Sequence, residues 1–270
     1  MTPGIVTPGL LTLGDAAFLA ALPEWAFAFV LVLARIGCAV MLMPGLGEAE
    51  MPAMVRAGLV LAITLLLLPG VHALMPTPPD GFAPIAGMVA AEVAAGLWFG
   101  WLARLIVQAL PVAGQFISYL LGLSNVLQQD AEFGSQATAL GRLLSLAAPV
   151  VVLASGLYVP VLAALDGSYQ LIAPGTLLPV GDAAQTGIGA VAASFALALQ
   201  LAAPFVLASV VWQVATGLMA RLVPRLQIYF VAMPAQILGG LALLSVLIPV
   251  LLSTWQEAVR SAYALLPGVL

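Results

Sequence analysis

The chain has 270 residues, of which 63% are hydrophobic and only 7% are charged, and its formal net charge is −4. A mean hydropathy of +1.17 excludes a soluble globular protein and indicates a protein that crosses a membrane several times. The seven basic residues are all arginines scattered along the chain, so the sequence has no basic patch for binding nucleic acid.

Apolar stretches near the length of about 20 residues that crosses a bilayer recur along the chain. They predict six long helices, at 25–43, 54–69, 84–107, 143–165, 187–220 and 226–252. The fifth stretch is longer than one crossing needs and contains Pro204, so we expect a long kinked helix that extends beyond the membrane. The predicted fold is all-α, a polytopic membrane protein of about six long, partly proline-kinked helices.

The stretch between the third and fourth predicted helices has the character of a re-entrant segment. Arginines near span ends favour the cytoplasmic side, and Arg104 and Arg142 both belong there, although no charge lies between residues 105 and 129. Irregular backbone at membrane depth is tolerated only where protein covers it or where it lines a wet cavity. Residues 110–134 are therefore predicted as a loop and helix facing a pore, with an ordinary packed helical hairpin as the alternative.

Two charged residues, Arg35 and Glu92, fall well inside predicted helices. A charge at the centre of a membrane helix costs roughly 2.5–3.5 kcal/mol on insertion scales. Such groups usually face the interior of the protein and pair with one another. We expect an intramembrane pair, either a structural clasp between two helices or part of a proton or ion path. One isolated acid makes a poor relay, which favours the clasp.

The sequence carries no recognisable constellation for catalysis or metal binding. His72 is the only histidine and Cys38 the only cysteine, and they lie in different parts of the chain. A nucleotide-binding P-loop needs a lysine, which this chain lacks. We therefore predict a protein that is not an enzyme and that has no cofactor and no metal site.

A weak internal similarity links residues 146–156, LAAPVVVLASG, with residues 201–211, LAAPFVLASVV. The predicted topology runs the two stretches in opposite directions, and inverted repeats are typical of secondary transporters. A small-solute or ion secondary transporter is thus the alternative function. Both stretches are dominated by Ala, Leu and Val, so chance explains the similarity better.

Four stretches together resemble the FliR/SctT family of bacterial type III secretion membrane proteins, which comprises flagellar export-gate subunits and their injectisome counterparts. The resemblance covers about 25–255 and rests on residues 33–69, 92–106, 114–130 and 201–240. The last stretch is the most specific, because it contains an Arg-x-x-Pro turn between the final two helices. The residues after Pro234 read AQILGG, without the lysine associated with the injectisome relatives, which favours the flagellar system.

The resemblance implies a single integral membrane export-gate domain over 1–270, with an N-terminal lead at 1–24, a helical core at 25–255 and a C-terminal tail at 256–270. It implies a channel-forming and assembly subunit of the type III (flagellar) protein export gate, in the bacterial inner membrane at the flagellar basal body. The implied partners are other small membrane subunits of the gate (FliP-like, FliQ-like and FlhB-like), exported unfolded proteins and membrane lipid.

The resemblance also implies that a loop near 111–130 contributes to a plug that closes the resting channel, in the stretch that charge placement marks as re-entrant. Apolar side chains would fill the constriction, glycines would give mobility and polar side chains would tolerate water. The expected plug or gate residues are Gly114, Gln115, Phe116, Ile117, Tyr119, Leu120, Gly122, Ser124 and Asn125. The expected structural turn consists of Arg221, Pro224, Arg225 and Pro234.

Overall fold

The computed structural model describes residues 13–123, 138–222 and 228–268 of the chain. Its regular structure in these ranges consists of α-helices and one short 3-10 turn, His72–Leu74, which confirms the predicted all-α fold. The helices are α1 Leu13–Leu42, α2 Ala53–Val71, α3 Phe82–Val107, α4 Ala109–Leu120, α5 Ala139–Ala154, α6 Tyr158–Leu171, α7 Val180–Leu222 and α8 Ile228–Ala264.

Five helical segments of the described chain are long and apolar enough to cross a membrane, and a sixth is present if α5 and α6 form one broken span. The five are Ala21–Leu42, Ala53–Leu74, Phe82–Leu120, Val180–Leu222 and Ala232–Ala264. This confirms the prediction of a polytopic membrane protein with about six long helices.

The fourth predicted helix, at 143–165, is not one continuous helix, and this prediction was wrong. α5 and α6 meet at an angle of 73°. The break contains Gly156, whose φ of 71° lies in the left-handed region that glycine adopts readily just beyond the end of a helix. Apolar residues continue on both sides of this break, and the hydropathy of the stretch therefore does not reveal the bend.

The last two helices are much longer than one crossing requires. α7 has 43 residues with Pro204 inside it, and α8 has 37 residues. At 1.5 Å per residue these helices are about 65 Å and about 55 Å long, against a hydrocarbon core of about 30 Å. The length of α7 agrees with the prediction of a helix that extends beyond the membrane.

Both ends of the helical region reach past the boundaries predicted from the sequence. α1 begins at Leu13, inside the predicted lead at 1–24. α8 continues to Ala264, inside the predicted tail at 256–270, and its Val259 and Tyr263 are buried. The described part of the tail therefore contributes to the core of the protein.

Two hydrophobic clusters lie among the residues that the structure describes. The larger surrounds α4, which packs chiefly against α5 and α7, and it includes Ile117, Phe205 and Trp255. The smaller joins α1, α2, α3 and α6, and it includes Ile36 and Phe99. The predicted ion pair lies beside the smaller cluster, and the described half of the predicted plug segment lies in the larger one.

α1 and α3 cross closely because α3 presents glycines to the backbone of α1. A Cβ added to Gly96 would clash with the carbonyl oxygen of Arg35, and one added to Gly100 would lie 2.5 Å from the carbonyl oxygen of Ala39. Small residues allow helices in a membrane to approach to this distance. The crossing brings the arginine-bearing turn of α1 against α3.

Replacing Gly96 with alanine should destabilise the protein, because the added methyl group has to push α1 away from α3. We expect a loss of about 1–3 kcal/mol in the free energy of unfolding, as for other overpacked sites. Thermal unfolding of the purified chain in mild detergent measures this loss. Gly87→Ala is the matched control on the same helix, since no atom lies within 4 Å of its added Cβ. Equal stability of the two variants would contradict the prediction.

Candidate functional site

The structure brings Arg35 of α1 and Glu92 of α3 together in a two-pronged ion pair. Arg35 donates from Nε to Glu92 Oε2 at 2.7 Å and from Nη2 to Oε1 at 2.9 Å. Both side chains are 0% exposed. A buried charge needs a partner and further hydrogen bonds to offset the loss of its hydration.

Those further hydrogen bonds come from α6 and the chain that follows it. Arg35 also donates to Ser168 Oγ at 3.2 Å and to the carbonyl oxygen of Ile172 at 3.1 Å. The backbone N–H of Gly175 donates to Glu92 Oε1 at 2.7 Å. The Arg35 guanidinium carbon also lies 4.2 Å from the centre of the Tyr169 ring, a cation–π contact.

We call these six residues the clasp: Arg35, Glu92, Ser168, Tyr169, Ile172 and Gly175. It joins α1, α3, α6 and the connection to α7, and both charged side chains find their partners within the protein, whereas the buried hydroxyl of Tyr169 has no hydrogen-bond partner. Such a geometry suits a structural tie between helices better than a path along which protons or ions move. Sequence reasoning missed the last four residues, because they lie between the predicted helices at 143–165 and 187–220.

A second group of charges lies around the connection between α1 and α2. Arg104 donates to the carbonyl oxygen of Leu42 at 3.2 Å and to Glu48 Oε2 at 3.1 Å. Arg142 donates to Glu50 Oε1 at 3.2 Å. One connection thus holds both arginines, as expected if the two belong on one side of the membrane.

The described residues of the predicted plug segment form a packed helix. α4 follows α3 after Gln108 alone and is buried along one side by α5 and α7. Gly114 fits closely against α5, because a Cβ added to it would lie 2.8 Å from Leu144 Cδ1. α4 ends at Leu120, and Gly122 follows with a φ of 74°. The described part of the segment is therefore an ordered helix and not an irregular loop.

The predicted plug residues occupy different sides of this helix. Gly114 and Ile117 are buried, Phe116, Leu120 and Gly122 are partly buried, and Gln115 and Tyr119 are exposed. Ser124 and Asn125 lie outside the described residues. The structure therefore does not gather the whole set on one surface.

The end of α4 meets α8 at a small cavity. Gln236 of α8 donates from Nε2 to the carbonyl oxygen of Leu120 at 2.9 Å. Leu121 lies against Gly240 of α8. The cavity has a volume of about 100 Å³, and Trp212 of α7 lies on its wall. Sequence reasoning missed Gln236, although a polar residue in a strongly apolar helix is a signal that a buried partner is required.

The predicted turn between the last two helices is only partly described. Arg221 lies exposed in the last turn of α7, and Pro224 and Arg225 fall outside the described residues. Pro234 does not belong to the turn, and this part of the prediction was wrong. It lies inside α8, where a proline is tolerated if neighbouring groups satisfy the freed backbone carbonyl.

The facing ends of α7 and α8 expose an apolar surface. After Ser209, no residue of α7 is buried as far as its end at Leu222. Leu207 and Val211 are each 70% exposed. Leu238 on α8 is also mostly exposed. We call the stretches 210–222 and 232–239 the hairpin arm.

Comparison with known proteins shows a sequence similarity to bacterial export proteins. Residues 26–262 match the family described as bacterial export proteins, family 1. The chain is 35% identical over 234 residues to the flagellar biosynthetic protein FliR of Caulobacter vibrioides, covering 87% of this chain and 93% of that protein. It is 27% identical to FliR of Bacillus subtilis, covering 83% and 87% of the two chains. It is also 27% identical to the surface presentation of antigens protein SpaR of Salmonella typhimurium, covering 80% of each.

Proposed function

The chain belongs to bacterial export proteins, family 1, and we propose from this membership that it is the channel-forming and assembly subunit of a flagellar type III export gate. It is a multi-pass membrane component of the flagellar export apparatus. We place it in the bacterial inner membrane at the flagellar basal body. The family is one of structural export components, and we assign the chain no enzymatic activity.

The proposed partners are other membrane subunits of the same gate, FliP-like, FliQ-like and FlhB-like, together with the unfolded proteins that the gate exports. Membership of the family implies a complex with other membrane components. We propose that the whole chain acts as one export-gate domain, in which residues 25–255 form the core. The described C-terminal end of the chain, which packs onto this core as part of α8, belongs to the same unit.

The observation that carries the proposal is the hairpin arm. α7 alone is about 65 Å long, roughly twice the thickness of the hydrocarbon core, so lipid cannot cover its whole apolar length. A large apolar surface that lipid does not cover marks a contact with other proteins. A carrier would hold its site within its own chain, whereas a gate subunit needs such surfaces for its neighbours.

The alternative of a secondary transporter with inverted repeats is not favoured. Of the two similar stretches, 146–156 runs from α5 into the break before α6, whereas 201–211 lies inside the continuous helix α7. Inverted repeats are expected to share their helix breaks, because the breaks form the substrate site. The first stretch contains a helix break and the second does not, so the two stretches lack the shared break that transporter repeats would have.

We propose that 110–134 contributes to the plug of the closed channel. In the described part of this segment, Gly114 and Ile117 anchor α4 in the core. The exposed Gln115 and Tyr119 are then the residues that can face the channel. A seal that rests on a few side chains of a helix end can yield to an unfolded polypeptide and still stop ions.

Bulky apolar substitutions on the hairpin arm and the adjoining turn of α7 test the proposed function. Leu207→Trp and Val211→Trp should leave membrane insertion intact, because lipid accepts tryptophan, but they should block a closely packed protein neighbour. We expect recovery of partner subunits to fall about tenfold, as for overpacking of a protein interface. Mild solubilisation, affinity purification through this chain and mass spectrometry of the co-purified proteins measure the effect.

Leu66→Trp on α2 is the matched control, since Leu66 is 78% exposed and lies on a helix of ordinary span length. We expect this variant to recover partners at the wild-type level. Wild-type recovery by all three variants would show that lipid covers the hairpin arm. A wild-type chain that purifies as a single species and binds a small solute would replace the gate by the carrier.

A further inference from the structure

We propose that Gln236 and Gly240 of α8 form a latch, which holds the C-terminal end of α4 in the closed channel and releases it when the channel opens. The inference rests on the proposed function of the chain as an export-gate subunit. It adds the residues of α8 that set the position of the α4 end.

The latch binds the backbone of α4. The last carbonyl groups of a helix have no partner within that helix. One of them, the carbonyl of Leu120, accepts the 2.9 Å hydrogen bond from the Gln236 side chain. Gly122, with its φ of 74°, turns the chain away directly afterwards. Gln236 therefore fixes the point at which the chain leaves α4.

Gly240 forms the surface of α8 against which Leu121, at the end of α4, packs, and we call this surface the seat. A Cβ added to Gly240 would lie 3.0 Å from Leu121 Cγ and would also clash with Cδ2. The Leu121 side chain thus occupies the space that any other residue would fill. The neighbouring Gly239 has no atom within 4 Å of an added Cβ, so the seat is specific to one side of α8.

This contact lies at the end of α4, where Leu121 belongs to the larger cluster and Leu120 packs against it. The cavity of about 100 Å³ lies directly beside it and is bordered by Leu120, Leu121 and Gln236 themselves. The side chains therefore have room to move, and a glycine seat has no side chain that interlocks with its neighbour. The clasp is the opposite case, because separating Arg35 from Glu92 would leave buried charges unpaired.

Release of the latch would act directly on the proposed plug. Tyr119, which is exposed, directly precedes the residue whose carbonyl the latch holds. The buried Leu110, Ala113 and Ile117 keep the rest of α4 on α5 and α7. A movement that begins at Leu120 can therefore displace Tyr119 while the body of the helix stays in place.

A reversible disulfide tests the latch. Leu121→Cys and Gly240→Cys are introduced together into a Cys38→Ala chain, which otherwise has no cysteine. Side chains in direct contact can meet the spacing of roughly 3.5–4.5 Å between Cβ atoms that a disulfide requires. We expect the oxidised complex to assemble normally, to export at background level and to recover export after reduction. Leu121→Cys with Gly239→Cys is the matched control, which should remain uncrosslinked and export normally.

Two outcomes would overturn the latch: a crosslinked complex that exports as fast as the reduced one, or a cysteine pair that does not crosslink in the assembled complex. Export by the Cys38→Ala parent, in cells lacking their own copy of this subunit, reports on the proposed function separately. If the parent assembles with no export components and supports no export, the proposed function fails before the latch is tested.

A second test uses the seat alone. Gly240→Ala should push Leu121 off α8 and raise the ion conductance of the assembled complex several-fold, whereas Gly239→Ala should not change it. Adding Leu121→Ala to Gly240→Ala removes the clash and should lower the conductance again. Equal conductance of the Gly240→Ala and Gly239→Ala complexes at equal assembly would overturn the latch.

Discussion

Replacing Glu92 with alanine should prevent the chain from accumulating as a folded protein, because Arg35 would remain buried without its counter-charge. Breaking one side of a buried ion pair costs about 3–5 kcal/mol. That is a large part of the roughly 5–15 kcal/mol by which proteins are stable. The loss should appear as a collapse in the yield of monodisperse protein in mild detergent and as a lowered midpoint of thermal unfolding.

Two further variants separate the loss of a charge from the loss of a contact. Glu257→Ala removes an exposed partner of Arg260 and should cost less than about 1 kcal/mol. Arg35→Met combined with Glu92→Leu removes both buried charges and should recover most of the stability lost in Glu92→Ala. Glu92→Ala protein as stable as Glu257→Ala would contradict the clasp. A stable double variant that no longer supports export would instead assign the pair to an ion path.

Deleting residues 119–124 should make the assembled complex leak ions several-fold more than the intact one, and it should slow the growth of cells that contain it. The deletion removes Tyr119 and the latched end of α4, and it leaves the buried Gly114 and Ile117 in place. Assembly should survive, because the helices that pack around α4 keep their contacts. Conductance across a planar bilayer with the purified complex, together with co-purification of its partners, measures both effects.

The control is a deletion of Thr77 and Pro78, which are exposed in the connection that leads into α3. Shortening a surface connection changes its closure entropy only slightly. This variant should therefore assemble and conduct as the intact complex does. If the 119–124 deletion assembles and conducts no more than this control, the segment is not the plug and serves only in packing.

The sequence allowed prediction of those features that membrane physics imposes locally. A helix that crosses a bilayer needs a long apolar stretch, so most of the long helices follow from hydropathy. A charge in such a helix needs a partner, and this rule pairs Arg35 with Glu92 across 57 residues of chain. Both inferences depend on energies of several kcal/mol, which leave little freedom to the fold.

Features that depend on tertiary contacts could not be predicted from the sequence. Ile172 and Gly175 contribute backbone groups to the clasp. Nearly all residue types have the same backbone groups, so the sequence does not reveal which residues will supply them. The bend at Gly156 interrupts a stretch whose hydropathy is nearly continuous. The polarity of Gln236 was visible in the sequence. Its partner was not, because it is the carbonyl group at the end of α4, 116 residues away in the chain.

The clasp also sets an order of events during biosynthesis. Arg35 leaves the ribosome 57 residues before Glu92 and 137 residues before Ile172. At about 5–20 residues per second, the wait for Glu92 is on the order of 3–11 s, and that for Ile172 is on the order of 7–27 s. α1 must therefore enter the bilayer as an apolar segment that tolerates a lone arginine, whose long side chain can meanwhile reach the polar interface. Nascent chains that stop before Ile172 cannot form all the hydrogen bonds of the clasp. The complete clasp can therefore form only after more than half of the protein has been synthesised.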